Sequence, residues 1–205
     1  MTITTRTSKG SALTYAEMDS NLSSLDSDRT SLIASTNSLD SDRTVLITAK
    51  NNFMIDMWRL HTNFDTNDAT ITGWERPDNA TFGRIGTGMT ESSGVFTFPS
   101  TGVYLVTTHF RVGIVGGADA TVGYQIQVSS NSLASSDSVA TAYEGNQTSS
   151  TVNANACIQA LINVTNASTF RVFTKTASLA NTSRINGNSS ENQSIITFER
   201  KGDAQ

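Results

Sequence analysis

The sequence predicts a mainly β protein, with an N-terminal α-helical coiled-coil stalk followed by an antiparallel β-sandwich or barrel. Apolar residues recur every seven positions in the first third of the chain. From about residue 62 they alternate with a period of two. Only 16% of residues are charged, and the abundance of Ser, Thr and Asn favours short strands and turns. We therefore divide the chain into a terminal segment (1–13), a stalk (14–61) and a head (62–205).

A specific helix-start signal precedes the stalk. Thr14 and Glu17 have the spacing of a capping box, in which their side chains satisfy two backbone amides at a helix N-terminus. A 14-residue repeat follows: Ser24–Asn37 reads SLDSDRTSLIASTN and Ser38–Asn51 reads SLDSDRTVLITAKN. Fourteen residues make two heptads, so the repeat keeps its apolar residues on one helix face.

The apolar residues of the stalk form a seam at heptad positions a and d. Ser, Thr and Asp are indifferent helix formers, so burial of this seam against sister chains has to stabilise the helix. The heptads alone leave two or three strands open. The alternative is an irregular polar linker in which the repeat has no structural meaning. The predicted stalk core is Met18, Leu22, Leu25, Leu32, Leu39, Leu46, Phe53, Met57 and Leu60.

The head carries alternating runs that are typical of half-buried strands. Many short strands without helix patterns between them indicate an antiparallel sandwich or barrel. The predicted strands are Val95–Phe98, Val103–Val112, residues 122–128 and 151–164, Thr169–Lys175 and Ser194–Arg200. Long polar connections are expected at residues 113–120, 131–138 and 180–192.

Composition and motifs exclude several functions. A net charge of -4 argues against nucleic-acid binding, which requires a concentrated cationic surface. No secretory signal or membrane span is visible, so membrane insertion is not expected. Cys157 is the only cysteine, and neither His61 nor His109 lies in a nucleophile motif. We expect no catalytic residue, no metal site and no cofactor, and hence no enzyme.

The segment from Phe96 to Val106 reads FTFPSTGVYLV and resembles the strand-turn-strand signature of the complement-subcomponent and tumour-necrosis-factor jelly rolls. The last strand, residues 194–200, resembles the closing strand of that family. The resemblance covers about residues 74–201 and implies an antiparallel jelly-roll β-sandwich. The predicted head core is Phe96, Phe98, Tyr104, Val106, Phe110, Ile196 and Phe198.

Residues 9–21 (KGSALTYAEMDSN) resemble the opening segment of tail-fibre and related virion proteins of tailed bacteriophages. Residues 73–78 (GWERPD) and 85–94 (IGTGMTESSG) are similar to heads of such proteins. This resemblance implies a homotrimer in the virion, made in the host cytoplasm, which docks on other virion proteins through residues 1–13.

The function implied is that of a structural fibre protein whose head attaches the particle to a host surface glycan or protein. The receptor-binding residues cannot be named from the sequence. One alternative is a capsid or baseplate decoration protein without receptor binding. A lesser alternative is a polysaccharide-cleaving tailspike.

Replacing both Arg29 and Arg43 by Leu is expected to raise the thermal stability of the oligomer. Both arginines occupy position a, where Asp28 and Asp42 of a neighbouring chain can reach them. Such hydrated ion pairs contribute only about 0 to 1 kcal/mol, whereas burying a Leu contributes about 1.5–3 kcal/mol. Thermal unfolding followed by circular dichroism measures the change. A large drop in melting temperature would contradict the heptad register.

Overall fold

A computed structural model describes residues 5–51, 53–79, 83–114, 119–146, 152–180 and 183–205. The chain divides into two compact units, Met1–Lys50 and Asn51–Gln205. The first unit contains the helices α1 (Arg6–Lys9) and α2 (Tyr15–Asn51). The predicted docking segment, 1–13, falls partly on residues 1–4, which lie outside the described ranges. The strands of the second unit are β1 (Ile55–Leu60), β2 (Trp74–Glu75), β3 (Thr90–Ser92), β4 (Val95–Thr97), β5 (Gly102–Ile114), β6 (Asp119–Ser129), β7 (Asp137–Asn146), β8 (Val152–Val164), β9 (Arg171–Ala177), β10 (Ser183–Ile185) and β11 (Ile195–Gly202).

The predicted capping box starts α2. The Thr14 amide donates to Glu17 Oε2 at 2.8 Å, and the Glu17 amide donates to Thr14 Oγ1 at 3.3 Å. Lys9 Nζ also donates to Glu17 Oε2. The hydrogen bond from Lys9, and after it the bond from the Thr14 amide, lowers the pKa of Glu17 to about 2. The carboxylate is therefore ionised at neutral pH, beside the positive end of the helix.

The many hydroxyl groups in the body of α2 find hydrogen-bond acceptors on the helix itself. Side chains of Ser and Thr donate to the carbonyl four residues earlier, at 2.8 to 3.0 Å. Such bonds satisfy the hydroxyls but add little helix stability. The donors include Ser24, Thr30, Ser31, Ser35, Thr36 and Thr44.

The predicted seam is exposed along the single helix. Its members in α2 are between 43% and 70% exposed. Arg29 Nη2 donates to Asp26 Oδ1 of its own chain at 2.8 Å, and Arg43 lies 3.6 Å from Asp40. Pairing with Asp28 or Asp42 of a neighbouring chain stays a prediction. The exposed seam consists of Met18, Leu22, Leu25, Leu32, Leu39 and Leu46.

The predicted stalk boundary at residue 61 is wrong. Helix α2 ends at Asn51, Phe53 follows the helix, and Met57 lies in β1. Leu60, also in β1, is fully buried in the head core. The run from Ile55 to Leu60 pairs with β11 from Ile55 opposite Glu199 to Arg59 opposite Ile195, so a sheet partner determines its structure. Phe53, Met57 and Leu60 are therefore removed from the stalk core.

The head is a sandwich of two antiparallel sheets. In the first sheet, β5 pairs with β8 along its whole length and with β11 and β10 along its other side. Strand β11 pairs with β1, which pairs with β2. The second sheet has the order β3-β4-β9-β6-β7. The predicted antiparallel jelly-roll sandwich is confirmed.

One aromatic-rich core lies between the sheets. Phe96 contacts Phe198 and Trp58, with ring centroids 4.9 and 5.5 Å apart, and Phe110 contacts Tyr124 at 4.9 Å. Such tilted and edge-to-face arrangements add to the free energy gained from burial. The predicted core residues are all buried: Phe96, Phe98, Tyr104, Val106, Phe110, Ile196 and Phe198.

The Pro-x-x-Gly turn before β5 is fixed by its own tyrosine. The Tyr104 hydroxyl donates to the Ser100 carbonyl at 3.0 Å and lies 3.0 Å from Ser100 Oγ. Gly102 has a φ of +153°, and a Cβ there would lie 2.6 Å from Arg200 Nε. This position therefore favours glycine.

Parts of four strands lie within segments that the sequence predicts as loops. Strand β10 lies inside the predicted loop 180–192, and β7 begins at Asp137, inside the predicted loop 131–138. Residues 113 and 114 belong to β5, while 119 and 120 belong to β6. The rest of the predicted loop 113–120, and residues 181–182 of 180–192, lie outside the described ranges. Long-range pairing, rather than local sequence, makes these strands.

Strand β1 carries two charged side chains that are almost completely buried. The Asp56 carboxylate accepts hydrogen bonds from Arg76 at 2.9 and 3.0 Å, from Trp58 Nε1 at 3.0 Å and from the Met89 amide at 2.7 Å. The Arg76 guanidinium lies over the Trp58 ring, 4.1 Å from its centroid. Both carboxylate oxygens of Asp56 thus have donors, which offsets the cost of burying its charge.

The second buried charge, Arg59, is only 1% exposed. Its guanidinium donates to Glu75 at 2.7 Å, to Asp78 at 2.6 Å and to Asn79 at 3.0 Å. The hydrogen bond from Arg59 lowers the pKa of Asp78 below its usual range. Ion pairs therefore hold segment 74–79 to β1: Asp56 of β1 binds Arg76, and Arg59 of β1 binds Glu75 and Asp78.

Replacing Asp56 by Ala is expected to lower the free energy of unfolding of the head by about 3–5 kcal/mol, because it leaves Arg76 and buried donors without their acceptor. The matched control is Asp203→Ala. Asp203 also pairs with an arginine, Arg200, but its side chain is 82% exposed, so the loss should be within about 0 to 1 kcal/mol. Urea unfolding of the two variants provides the comparison. Equal losses would show that the Asp56 pair is not a stabilising contact.

Candidate functional site

The two histidines are not brought into any catalytic arrangement by the described contacts. His61 follows β1, and His109 lies in β5 opposite Cys157 of β8. Across the described ranges, no three His, Cys, Asp or Glu side chains are placed to hold a metal ion. In the same ranges, no helix is long and apolar enough to cross a bilayer. The surface at the ends of the sandwich is the candidate site.

The loops of the head lie at two opposite ends of the sandwich. We call the end where β1 begins the entry end; the register places Ile55 opposite Glu199, near the end of β11 and the start of β5. The loop 130–136 also lies there, because Ser132 donates to the Thr169 carbonyl at 2.9 Å. The other end, called the far end, is where β5 and β9 finish and β6 and β8 begin.

This arrangement divides the predicted contact loops. Residues 113–114, 119–120 and 183–192 lie at the far end, where β10 pairs with the end of β5. The predicted loop 131–138 lies at the entry end instead. The three predicted polar connections therefore lie at two different ends of the head. Sequence reasoning could not reveal this, because the end at which a loop lies depends on strand direction.

The far end is covered by a chain segment, residues 61–73, which we call the strap. Phe64 and Ile185 exchange backbone hydrogen bonds of 2.9 and 2.7 Å. Further along, the Thr176 hydroxyl donates to the Thr66 carbonyl at 2.7 Å, and the Leu179 amide donates to Asn67 Oδ1 at 2.7 Å. The strap is held by β9 and β10 and presents a defined set of polar side chains.

A second far-end segment, residues 186–193, packs against the strap. The Gly187 amide donates to Asn63 Oδ1 at 3.0 Å, and the Asn188 amide donates to the Leu60 carbonyl at 2.8 Å. Asn188 Oδ1 accepts from the amides of Ser190 and Glu191 at 2.7 and 3.1 Å. The segment is polar and largely exposed beyond Asn188, which suits contact with a hydrated ligand.

The buried Asp119 carboxylate fixes the base of this end. Asp119 Oδ2 accepts from the Ser183 hydroxyl at 2.5 Å and from the Ala180 amide at 3.0 Å. It thereby joins the start of β6 to the start of β10. A single Asp at the beginning of an alternating strand gives little sequence signal for such a role.

Gly187→Ala is expected to destabilise the head and to disturb the far end. A Cβ at this position would lie 2.1 Å from the Thr62 carbonyl oxygen, so the strap has to shift. We expect a loss of about 1–3 kcal/mol in the free energy of unfolding. The control is Gly202→Ala, since a Cβ at Gly202 meets no atom within 4 Å. Equal melting temperatures for the two variants would contradict the close contact.

No protein-family model and no curated protein sequence matches the chain. Solved structures of similar fold include murine APRIL at pH 8.5, with a TM-score of 0.52 and 9% identity, over 72% of this chain and 98% of that chain. Eiger TNF from S. frugiperda is similar with a TM-score of 0.56 and 14% identity, over 75% of this chain and 95% of that chain. At these identities the likeness shows the fold alone. The head therefore has a jelly-roll fold like that of tumour-necrosis-factor proteins.

Proposed function

We propose that this protein is a non-enzymatic, homotrimeric fibre protein of a bacteriophage virion, which attaches the particle to the host surface through the far end of its head. The observation that carries the proposal is the exposed row of apolar residues along α2, in a chain that also contains a jelly-roll head. The resemblances of residues 9–21, 73–78 and 85–94 to phage virion proteins support the virion assignment.

Burial of the exposed apolar seam of α2 against an identical helix would stabilise the assembly. Burying one Leu stabilises an assembly by about 1.5–3 kcal/mol, and the seam offers Leu22, Leu25, Leu32, Leu39 and Leu46. Because the apolar residues keep a seven-residue period, identical helices can pack along the whole seam. A second copy of the chain therefore fits this surface better than an unrelated partner.

The head offers a second apolar surface for self-association. Leu161 of β8 points outward from the first sheet and is 69% exposed. Leu105 of β5, directly opposite Leu161, is half-buried on the same face. A threefold assembly can bury such a face in each copy. Three copies agree with both units.

The far end is the part of the head that we assign to host contact. The far end is opposite the end of the sandwich at which β1 begins. Its strap and residues 186–193 are polar and carry little exposed apolar area. Contacts of this kind are weak for each head, and three heads on one particle fibre raise the avidity by about 100-fold or more.

The test uses the purified full chain. Sedimentation equilibrium should give about three times the chain mass of 21.9 kDa. The chain should stain host cells and slow particle adsorption at micromolar concentration. Replacing Leu32 and Leu39 by Asp should yield a monomer with at least about 100-fold weaker cell binding, because charges in the seam oppose packing.

The matched control replaces Ser27 and Ser41 by Asp, on the helix face away from the seam, and should leave both mass and binding unchanged. A wild-type monomer would overturn the trimer. A trimer that neither stains host cells nor slows adsorption would overturn the attachment role in favour of virion decoration.

A further inference from the structure

We propose that the outer face of the second sheet carries a binding site for neutral pyranose sugars, centred on Tyr143 of β7 and Gln125 of β6. This inference rests on the proposed attachment function and names the ligand class for it. The site lies toward the far end, since Tyr143 pairs with Gly123 and Gly123 pairs with Ala177 at the end of β9.

The first element of the site is an exposed aromatic platform. Tyr143 is 56% exposed, the most exposed aromatic side chain in the described part of the head. Its Cε1 and Cδ1 atoms lie 2.7 and 2.9 Å from the position that a Cβ of Gly123 would occupy. Only glycine leaves room for the ring there, so the backbone holds the ring across the neighbouring strand.

The second element is a row of polar side chains beside the ring. Gln125 lies between Thr141 and Lys175 in the register of three adjacent strands. Gln127, which is mostly buried, donates from Nε2 to Gln125 Oε1 at 2.6 Å. This bond fixes the orientation of the Gln125 amide. Within the described ranges, Gln125 Nε2 donates to no protein atom and is therefore available to a ligand.

The lysine beside Gln125 is paired with a carboxylate. The Lys175 ammonium lies 2.7 Å from Asp68 Oδ1 of the strap. A paired lysine attracts an anionic ligand weakly, and the net charge of the chain is -4. A nucleic acid or a strongly anionic polymer therefore does not match this surface.

These features together favour a sugar. A pyranose has one face of C–H bonds, which packs on an aromatic ring, and a rim of hydroxyls, which accept from an amide and donate to a hydroxyl such as that of Thr141. A protein partner would require a buried apolar cluster at the centre of its interface. Tyr143 and Val139 are the exposed large apolar side chains of β7, and together they supply the area for a sugar ring but not for such a cluster.

The experiment measures binding of the full chain to immobilised neutral hexose and N-acetylhexosamine oligosaccharides and, in parallel, to host cells. Tyr143→Ala and Gln125→Ala should each weaken sugar and cell binding by at least about 10-fold. Tyr143→Phe keeps the ring and should stay within about threefold of the wild type. Leu133→Ala removes an exposed apolar side chain at the entry end and should change neither kind of binding. All variants should retain the sedimentation mass of the wild type.

Three results would overturn the sugar site, and a fourth would separate it from host attachment. Wild-type chain that binds host cells but no oligosaccharide indicates a protein receptor, which removes this inference and leaves the attachment function intact. If the Tyr143→Ala variant binds sugars as tightly as the wild type, Tyr143 is not part of a sugar site. A loss of trimer mass in Tyr143→Ala shows that the ring belongs to a subunit interface. Oligosaccharide binding that depends on Tyr143, without any binding to host cells, supports the site and rejects host attachment.

Discussion

The pairing of Asp56 with Arg76 is the contact on which the organisation of the head depends. Strand β1 is the first strand after the helix, and it completes the first sheet beside β11. Asp56 fixes it from the inside, by binding Arg76, Trp58 and the Met89 amide together. Arg59 fixes the following segment from the outside. Two oppositely charged residues in one strand therefore determine where the remaining chain can pack.

These buried ion pairs add little to the stability of the head but restrict β1 to one register. Buried ion pairs stabilise a fold less than apolar contacts of the same volume, and breaking one partner is costly. An apolar β1 could slide along β11 by two residues and still bury one face. With Asp56 and Arg59 in place, a shifted register leaves charges buried without partners. The pairs thus select one alignment of β1.

The sequence predicts most long strands of the head but not its short ones. Strands β5, β6 and β8 have long alternating runs, and their outward and inward residues follow from the period of two. Strands β2, β3 and β10 have two or three residues each, too few for a period, and depend on distant partners. The seven-residue spacing predicts β1 as part of the stalk, because Phe53 and Leu60 happen to continue it. The decisive signal would have been Asp56 and Arg59 within an apolar run, followed by the charged segment 74–79.

The candidate site was less predictable than the core. Polar loops are visible in the sequence, yet the end at which each loop lies depends on topology, so the sequence does not separate the loop 131–138 from the loops of the far end. The platform at Tyr143 also requires the register, since Gly123 lies far from it in sequence and directly opposite it in the sheet. The functional surface depends on contacts across strands, whereas the fold follows from the periodicity within each strand.

The duplicated unit of α2 makes the helix adjustable in length. Both copies, 24–37 and 38–51, lie entirely within the helix. Losing or gaining one copy by recombination changes the helix by about 21 Å and returns every later apolar residue to the same face. A single genetic event can thus alter the reach of the protein without redesigning either terminus. Natural variation among such chains should then occur in steps of one unit, with intermediate lengths disfavoured.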